Sequence, residues 1–158
     1  MKIESKVDLS GFNNLKKALD ANMEVRVGVL SNKNGRNDTQ SNASVGATHE
    51  FGSVTNKIPA RSWLRMPIQV KIKEIQKAIF KKRTQIEADL LRGNSKSLFT
   101  ILGLSAEKVI QDSFESGGFG KWAKLNAETI KRKGSSAPLI DSGQLRRSVT
   151  SAVVKKKG

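Results

Sequence analysis

The sequence predicts a single α+β domain over residues 1–158, in which a small, mostly antiparallel sheet packs with one long helix, several shorter helices and long polar loops. Two patterns favour this class. Residues 23–30, MEVRVGVL, alternate apolar and polar side chains, which is typical of a half-buried strand. From Ile68 to Leu91, apolar residues recur at spacings of three, four and seven between lysines and arginines, which predicts one long amphipathic helix.

Shorter elements are predicted in the first third of the chain. Residues 8–20, DLSGFNNLKKALD, have helical apolar spacing, and Asp8 or Ser10 can cap the helix. Residues 31–42, SNKNGRNDTQSN, contain no aliphatic or aromatic residue and predict a long exposed loop. Residues 43–51, ASVGATHEF, can form two helical turns, which we expect Gly52 to end in the left-handed conformation.

The second half of the chain predicts another helix from about Ser97 to Ser116, ended by the glycines of GGFG. Asn126 can cap a two-turn helix that Gly134 would end. A turn is expected at residues 141–143, before a further helix or strand. Residues 150–154, TSAVV, predict a last strand, and residues 155–158, KKKG, a frayed basic C-terminus.

Charge is the strongest feature of the composition. The chain has 29 basic and 14 acidic residues, a formal net charge of +15. From Ser116 onward, the chain has ten lysines and arginines but only two acidic residues, Glu128 and Asp141. Such a surface attracts polyanions, which are either nucleic acid or acidic protein surfaces, although it can equally be a solvated face.

Other features of the composition limit the range of functions. Cysteine is absent, so disulfides, thiolate zinc sites and thiol nucleophiles are excluded. No apolar run reaches 18 residues, and the start lacks the pattern of a signal peptide, so we expect no membrane partner. The segment SGGFGKW lacks the P-loop pattern, in which Gly-Lys-Ser/Thr enters a helix after a buried strand, so we expect no nucleotide binding. We expect no small-molecule substrate either.

The only histidine, His49, is followed by Glu50, which raises the question of a metal or acid–base site. A zinc helix needs a second histidine four residues on, but position 53 is Ser. No G-x-S-x-G elbow is present either. We therefore expect no catalytic residue, metal or cofactor. Instead, Glu50 or His49 would hydrogen-bond the chain near Arg61, and Phe51 would dock in the core.

Arg61 and Arg65 flank Trp63 and would share one face if this segment were helical. A stacked cluster of this kind can contact a phosphate or an acidic partner. It can equally clamp the loop by pairing with Glu50. The clamp, or a protein interface, is the favoured interpretation.

Three segments together resemble a family of small neck and tail-completion proteins of tailed bacteriophages. Residues 49–65, HEFG…IPARSWLR, resemble the family's (H/N)EFG…IPARPFLR segment, with Ser62 and Trp63 where the family has Pro-Phe. Residues 120–134 are similar to its W-x-PL-x-x-x-T-x-x-x-K segment through Trp122, Leu125, Thr129 and Lys133. Residues 137–149 resemble PLIDTGQLRxSI through Leu139, Asp141, Gly143, Leu145, Arg146 and Ser148. The segments follow in the family's order and cover about a third of the chain.

The resemblance implies a non-enzymatic virion protein that acts in a ring between portal and tail tube, assembled from host cytoplasm into the neck or tail region. Its partners would be copies of itself, as a hexamer or dodecamer, and neighbouring neck, portal-adaptor, tail-tube or terminator proteins, with DNA passing through the channel. Tail terminator, joining protein and completion factor all stay open. The alternative is a basic DNA-binding protein of the packaging or nucleoid type. The residues expected to have structural or interface roles are Glu50, Phe51, Gly52, Pro59, Arg61, Trp63, Arg65, Trp122, Asp141, Gly143 and Arg146.

Overall fold

Eight α-helices and a two-stranded antiparallel sheet form the protein in a computed structural model that describes residues 8–35, 40–139 and 143–156. The predicted α+β class is confirmed. The strands are β1 (Met23–Val29) and β2 (Val149–Lys155). The helices are α1 (Ser10–Leu19), α2 (Asn42–Phe51), α3 (Arg65–Val70), α4 (Ile72–Lys81), α5 (Arg83–Leu91), α6 (Lys96–Glu115), α7 (Ala127–Lys133) and α8 (Gln144–Ser148).

The sheet joins the two ends of the described chain, because β1 pairs with β2 from Met23 opposite Lys155 to Val29 opposite Val149. Both strands were predicted, and both are confirmed. Helix α6 packs across the two strands. Gly103 permits this close approach, since a Cβ there would lie only 3.0 Å from the Oγ of Ser151 and 3.2 Å from Val25.

The core consists of two apolar clusters on the long helix α6. The larger cluster gathers buried residues from four parts of the chain, namely Trp63, Ile110, Phe114, Trp122, Leu145 and Val149. The smaller one joins Ile75 of α4 to Ala106 and Val109 of α6. Helix α6 contributes to both clusters and contacts both strands as well as α3, α4 and α5.

The prediction of one long helix over residues 68–91 is wrong. The segment divides into α3, α4 and α5, with interruptions at Lys71 and Lys82, where ψ is 18° and 11°. The physical reason lies in the packing: α4 packs on α6, whereas α5 packs mainly on α1 and to a lesser extent on α6. No residue is inserted at either break, so the apolar spacing continues through both, and the sequence pattern does not reveal them.

The prediction of an exposed loop over residues 31–42 is also wrong at its two ends. Ser31–Lys33 form a short 3₁₀ helix, and Asn42 begins α2 and is buried. The Nδ2 of Asn42 donates to the carbonyls of Lys33 and Gly35 at 2.9 and 3.0 Å, which satisfies its polar group inside the protein. Residues 36–39 of this loop lie outside the described residues.

The helix caps and the C-terminus can also be compared with prediction. Asn126 caps α7 as predicted, since its side chain accepts from the backbone N–H of Thr129 at 2.7 Å. The prediction for α1 is wrong, because its N-cap is Leu9 and not Asp8 or Ser10, although the Asp8 carboxylate accepts from the N–H of Ser10 at 2.9 Å. Lys155 is the last residue of β2, and the N–H of Lys156 donates to Asn22 at 2.7 Å, so the predicted fraying does not include these two residues. Residues 157 and 158 lie outside the described residues. No helix in the described ranges is long and apolar enough to cross a membrane.

Gly52 ends α2, but not in the predicted left-handed helical conformation, since φ is 77° and ψ is 178°. This region of backbone conformation is almost restricted to glycine. A Cβ at position 52 would lie 2.8 Å from the N of Ala60 and 2.9 Å from the O of Ile58. These contacts are with backbone atoms, which cannot rotate away as a side chain can, so any other residue type at this position is strained.

We predict that Gly52→Ala lowers the free energy of unfolding by about 3 kcal/mol, because backbone strain and backbone contact add. Gly134→Ala is the matched control, since Gly134 also has a positive φ of 69° but nothing within 4 Å of a Cβ. It should cost about 1 kcal/mol. Urea unfolding followed by tryptophan fluorescence measures both, and equal losses would contradict the steric account.

Candidate functional site

The carboxylate of Glu50, at the end of α2, is buried and accepts hydrogen bonds from the segment that follows Pro59. Ser62 Oγ donates to its Oε1 at 2.7 Å, the N–H of Leu64 donates to its Oε2 at 2.9 Å, and Arg65 Nε donates to its Oε1 at 2.9 Å. Both oxygens are therefore held by donors of residues 62–65. Glu50 fixes the path of the chain into α3.

The charge of Glu50 is stabilised by these donors. Burial raises the pKa of its carboxyl, but the hydrogen bonds from Arg65, Leu64 and Ser62 lower it more, so the pKa lies below its ordinary value of 4.5. Glu50 is thus ionised at neutral pH in spite of its burial.

Arg61 is also buried, but it contacts a different part of the chain. Its Nε donates to the carbonyl of Ala123 at 2.8 Å and its Nη2 to that of Lys124 at 3.3 Å. Its own N–H donates to the carbonyl of His49 at 2.7 Å. Arg61 therefore connects the end of α2 to residues 123–124, which are about 60 positions away in sequence.

The expectation that Arg61 and Arg65 share one face is not met, because α3 begins only at Arg65 and residues 61–64 are not helical. Arg65 pairs with Glu50 and is largely exposed, whereas Arg61 points to the carbonyls of Ala123 and Lys124. Arg65 stacks on the ring of Phe51 at 5.0 Å, not on Trp63.

The expectation that Phe51 docks in the core is wrong. Its side chain is 67% exposed, one face of the ring lying under the Arg65 guanidinium. The last turn of α2 directs Glu50 inward, so the adjacent position 51 faces outward. Phe51 lines a surface depression together with Gly52, Val54 and Pro59. Pro59, which was expected to have a structural or interface role, therefore lies at this depression.

Trp63 belongs to the larger core cluster. Its ring centroid lies 5.8 Å from that of Phe114, and Phe114 lies 5.6 Å from Trp122 in an edge-on arrangement. The indole N–H of Trp63 donates to the carbonyl of Gly46 at 2.7 Å, and that of Trp122 to the carbonyl of Ser62 at 3.1 Å. Both polar indole groups are therefore satisfied. We call the set Glu50, Arg61, Trp63, Phe114 and Trp122 the tryptophan junction.

The remaining predicted residues lie around the tryptophan junction. Gly143 precedes α8 in a left-handed conformation with φ at 70°, and Arg146 of α8 forms an ion pair with Glu115 of α6. Leu145 of α8 packs in the same cluster as Trp63. Asp141 lies outside the described residues.

Sequence reasoning missed three contributors to this site. Ser62 bonds Glu50 and also accepts from the N–H of Met66 at 3.1 Å, a capping role that a serine before a helical segment can signal. Gly46 faces Trp63, and a Cβ there would lie 2.8 Å from the indole ring. Phe114 joins the two tryptophans, and no local sequence signal reveals its partners.

No group of three or more potential metal ligands occurs within residues 8–35, 40–139 and 143–156. Comparison of the chain with protein-family models, with curated proteins and with solved structures gave no match.

We predict that the contribution of Glu50 to stability is lost in acid. Because its folded-state pKa is depressed, this contribution is present above the ordinary value of 4.5 and disappears as the pH falls through the lower folded-state pKa. At pH 7, Glu50→Gln should cost about 2 kcal/mol, the typical effect of losing hydrogen bonds to a charged group, and the difference from wild type should shrink below pH 4.5.

Glu74→Gln is the matched control, since Glu74 is exposed and its ion pair is with the nearby Lys71, three residues earlier. Its effect should stay within about 0.5 kcal/mol at every pH. Urea unfolding between neutral and acid pH tests both variants. A pH-independent loss in Glu50→Gln would show that the carboxylate charge is not what matters.

Proposed function

We propose that the chain is a non-enzymatic structural protein of a tailed bacteriophage, a ring-forming subunit of the neck or tail-completion region that helps to join the tail to the DNA-filled head. Its place would be the virion, and before assembly the host cytoplasm. Tail terminator, joining protein and completion factor are all compatible with this proposal.

One observation carries the proposal: the three segments that resemble the phage family pack against one another. Trp63 belongs to the first segment, Trp122 to the second and Leu145 to the third, and all three lie in one buried cluster. Arg61 of the first segment also bonds the backbone of the second. The resemblance therefore concerns residues that form a single structural unit, which supports a shared fold element more strongly than three unrelated matches would.

A protein interface next to this unit is supported by exposed apolar side chains. Phe51 is 67% exposed and Val54, in the turn closed by the Ser53–Ile58 bridge, is 98% exposed. Aromatic residues and arginine are enriched in interfaces, and Phe51 stacks with Arg65 here. We propose that this surface meets a neighbouring subunit, in a heterologous contact that closes a ring of six or twelve copies.

Deletion of the gene in a phage that carries it tests the proposal. We expect electron microscopy of lysates to show either DNA-filled heads beside separate, finished tails, or tails of abnormal length. The first result would identify a joining protein and the second a terminator or completion factor. Normal infectious particles would overturn the proposal.

Complementation of the deletion with variants separates the roles of two residues of the first segment. Trp63→Ala should lose soluble protein or assembly, because removal of a buried tryptophan costs about 3–5 kcal/mol. His49→Ala should restore particles, since the buried Nδ1 of its imidazole has no hydrogen-bond partner among the described residues. Phe12→Ala, which removes a 66% exposed aromatic residue, is the control for Trp63. Normal virion yield with Trp63→Ala would refute its role as an anchor.

Non-specific DNA binding is the second candidate function, and α4 provides the observation that favours it. Lys73, Lys77 and Lys81 are exposed and follow one another at intervals of four residues, so they line one face of the helix about 6 Å apart. The nearby Glu74 is engaged by Lys71 at 2.5 Å. Such a row can contact successive phosphates of a nucleic acid backbone.

If DNA binding is the function, the logarithm of the affinity for duplex DNA should fall linearly with the logarithm of salt concentration. The triple variant Lys73→Gln, Lys77→Gln, Lys81→Gln should make the slope of this plot less steep, by about 0.9 for each lysine removed. A variant with Gln at the exposed Lys16, Lys17 and Lys96 is the matched control. An equal reduction in both variants would exclude α4 as the binding face.

A further inference from the structure

A cavity of about 350 Å³ lies between α2, α7 and α8, next to the tryptophan junction. One part of its wall is apolar and includes Leu125 and Leu139. The other part carries cationic or basic side chains, namely His49, Arg61, Arg132 and Lys133. No carboxylate of a described residue lines it. Its size and its mixture of apolar and converging polar groups suit a small ligand.

Arg61 is the most informative residue of this wall. It is only 5% exposed, yet it forms no ion pair with any described carboxylate. Two backbone carbonyls accept from its Nε and Nη2, but a guanidinium has five N–H donors. Buried charges in proteins are normally paired, because desolvation is costly. An anion in the cavity would supply the partner that the described chain does not.

The imidazole of His49 also indicates that the cavity is electropositive. Burial lowers the pKa of its imidazole below the ordinary value of 6.5, and the positive charges of Arg61 and Lys133 lower it further. Its Nδ1 is buried and has no hydrogen-bond partner among the described residues. Arg132 of α7 lines the cavity beside it. The cavity is therefore a positive environment that disfavours a further cation.

From the buried, unpaired Arg61 and the basic wall around it, we propose that this cavity binds a small organic anion that carries a carboxylate or phosphate group. Arg61 and Arg132 hold the anionic oxygens, because guanidinium groups match carboxylate and phosphate geometry. The apolar part of the ligand packs against Leu125 and Leu139. This proposal stands apart from the phage assignment and does not depend on it.

The single histidine makes the test direct, since the imidazole Cε1–H of a chain with one histidine gives one NMR signal. Phenyl phosphate and inorganic phosphate are titrated at constant pH and ionic strength, with chloride as the balancing anion. We expect saturable shifts of the His49 signal, at roughly tenfold lower concentration for phenyl phosphate because of the apolar wall. The bound anion should also raise the pKa of His49, since it stabilises the imidazolium.

Arg132→Gln is the decisive variant, because Arg132 is exposed and its loss should leave the fold intact. We expect its affinity for phenyl phosphate to fall about tenfold. Arg92→Gln, at an exposed arginine after α5, is the matched control and should bind as wild type does. The affinity of Arg61→Gln for phenyl phosphate is a second measurement, made on the variant once it is shown to be folded.

Two results would overturn the proposal. Shifts that are absent or rise linearly with either anion would show that the cavity has no anion site. Saturable binding that Arg132→Gln and Arg92→Gln weaken equally would show only general attraction of anions to a protein of net charge +15.

Discussion

The contact of Phe114 with Trp63 and Trp122 is the interaction on which the rest of the structure depends. Phe114 lies near the end of α6, the helix that also covers both strands of the sheet. The two tryptophans come from segments that have no regular secondary structure at those positions. Aromatic contact with α6 therefore gives these irregular segments a fixed position. Without it, Arg61 and Glu50 would have no defined partners.

The elements whose signals are local could be predicted from the sequence. β1 shows a clear alternation, and the cap by Asn126 depends only on a residue three positions away. The breaks at Lys71 and Lys82 could not be predicted, because they arise where α4 and α5 turn toward different neighbours. A helix pattern records which side chains are apolar, but not which surface each one meets.

The distinction between local signals and contacts that only the fold decides also applies to the candidate site. The pairing of Glu50 with the region of Arg61 was foreseeable from short spacing and opposite charge, and Arg65 forms it. The bonds from Arg61 to the carbonyls of residues 123 and 124 were not foreseeable, because every residue has a carbonyl and only the fold selects two of them. The exposure of Phe51 follows from the inward direction of Glu50 on the adjacent position, which apolar character alone does not show.

The two buried charges, Glu50 and Arg61, differ in a way that separates structure from function. The hydrogen bonds that the Glu50 carboxylate accepts from described residues come from residues 62–65, so this carboxylate is satisfied by the fold. The guanidinium of Arg61 donates to two neutral carbonyls, and no carboxylate of a described residue pairs with its charge beside the cavity. A buried charge with all its hydrogen bonds made, such as that of Glu50, needs no further partner. A buried charge without an opposite charge, such as that of Arg61, lowers the stability of the fold until an anion binds next to it. An anionic ligand therefore explains the buried guanidinium of Arg61 more directly than packing does.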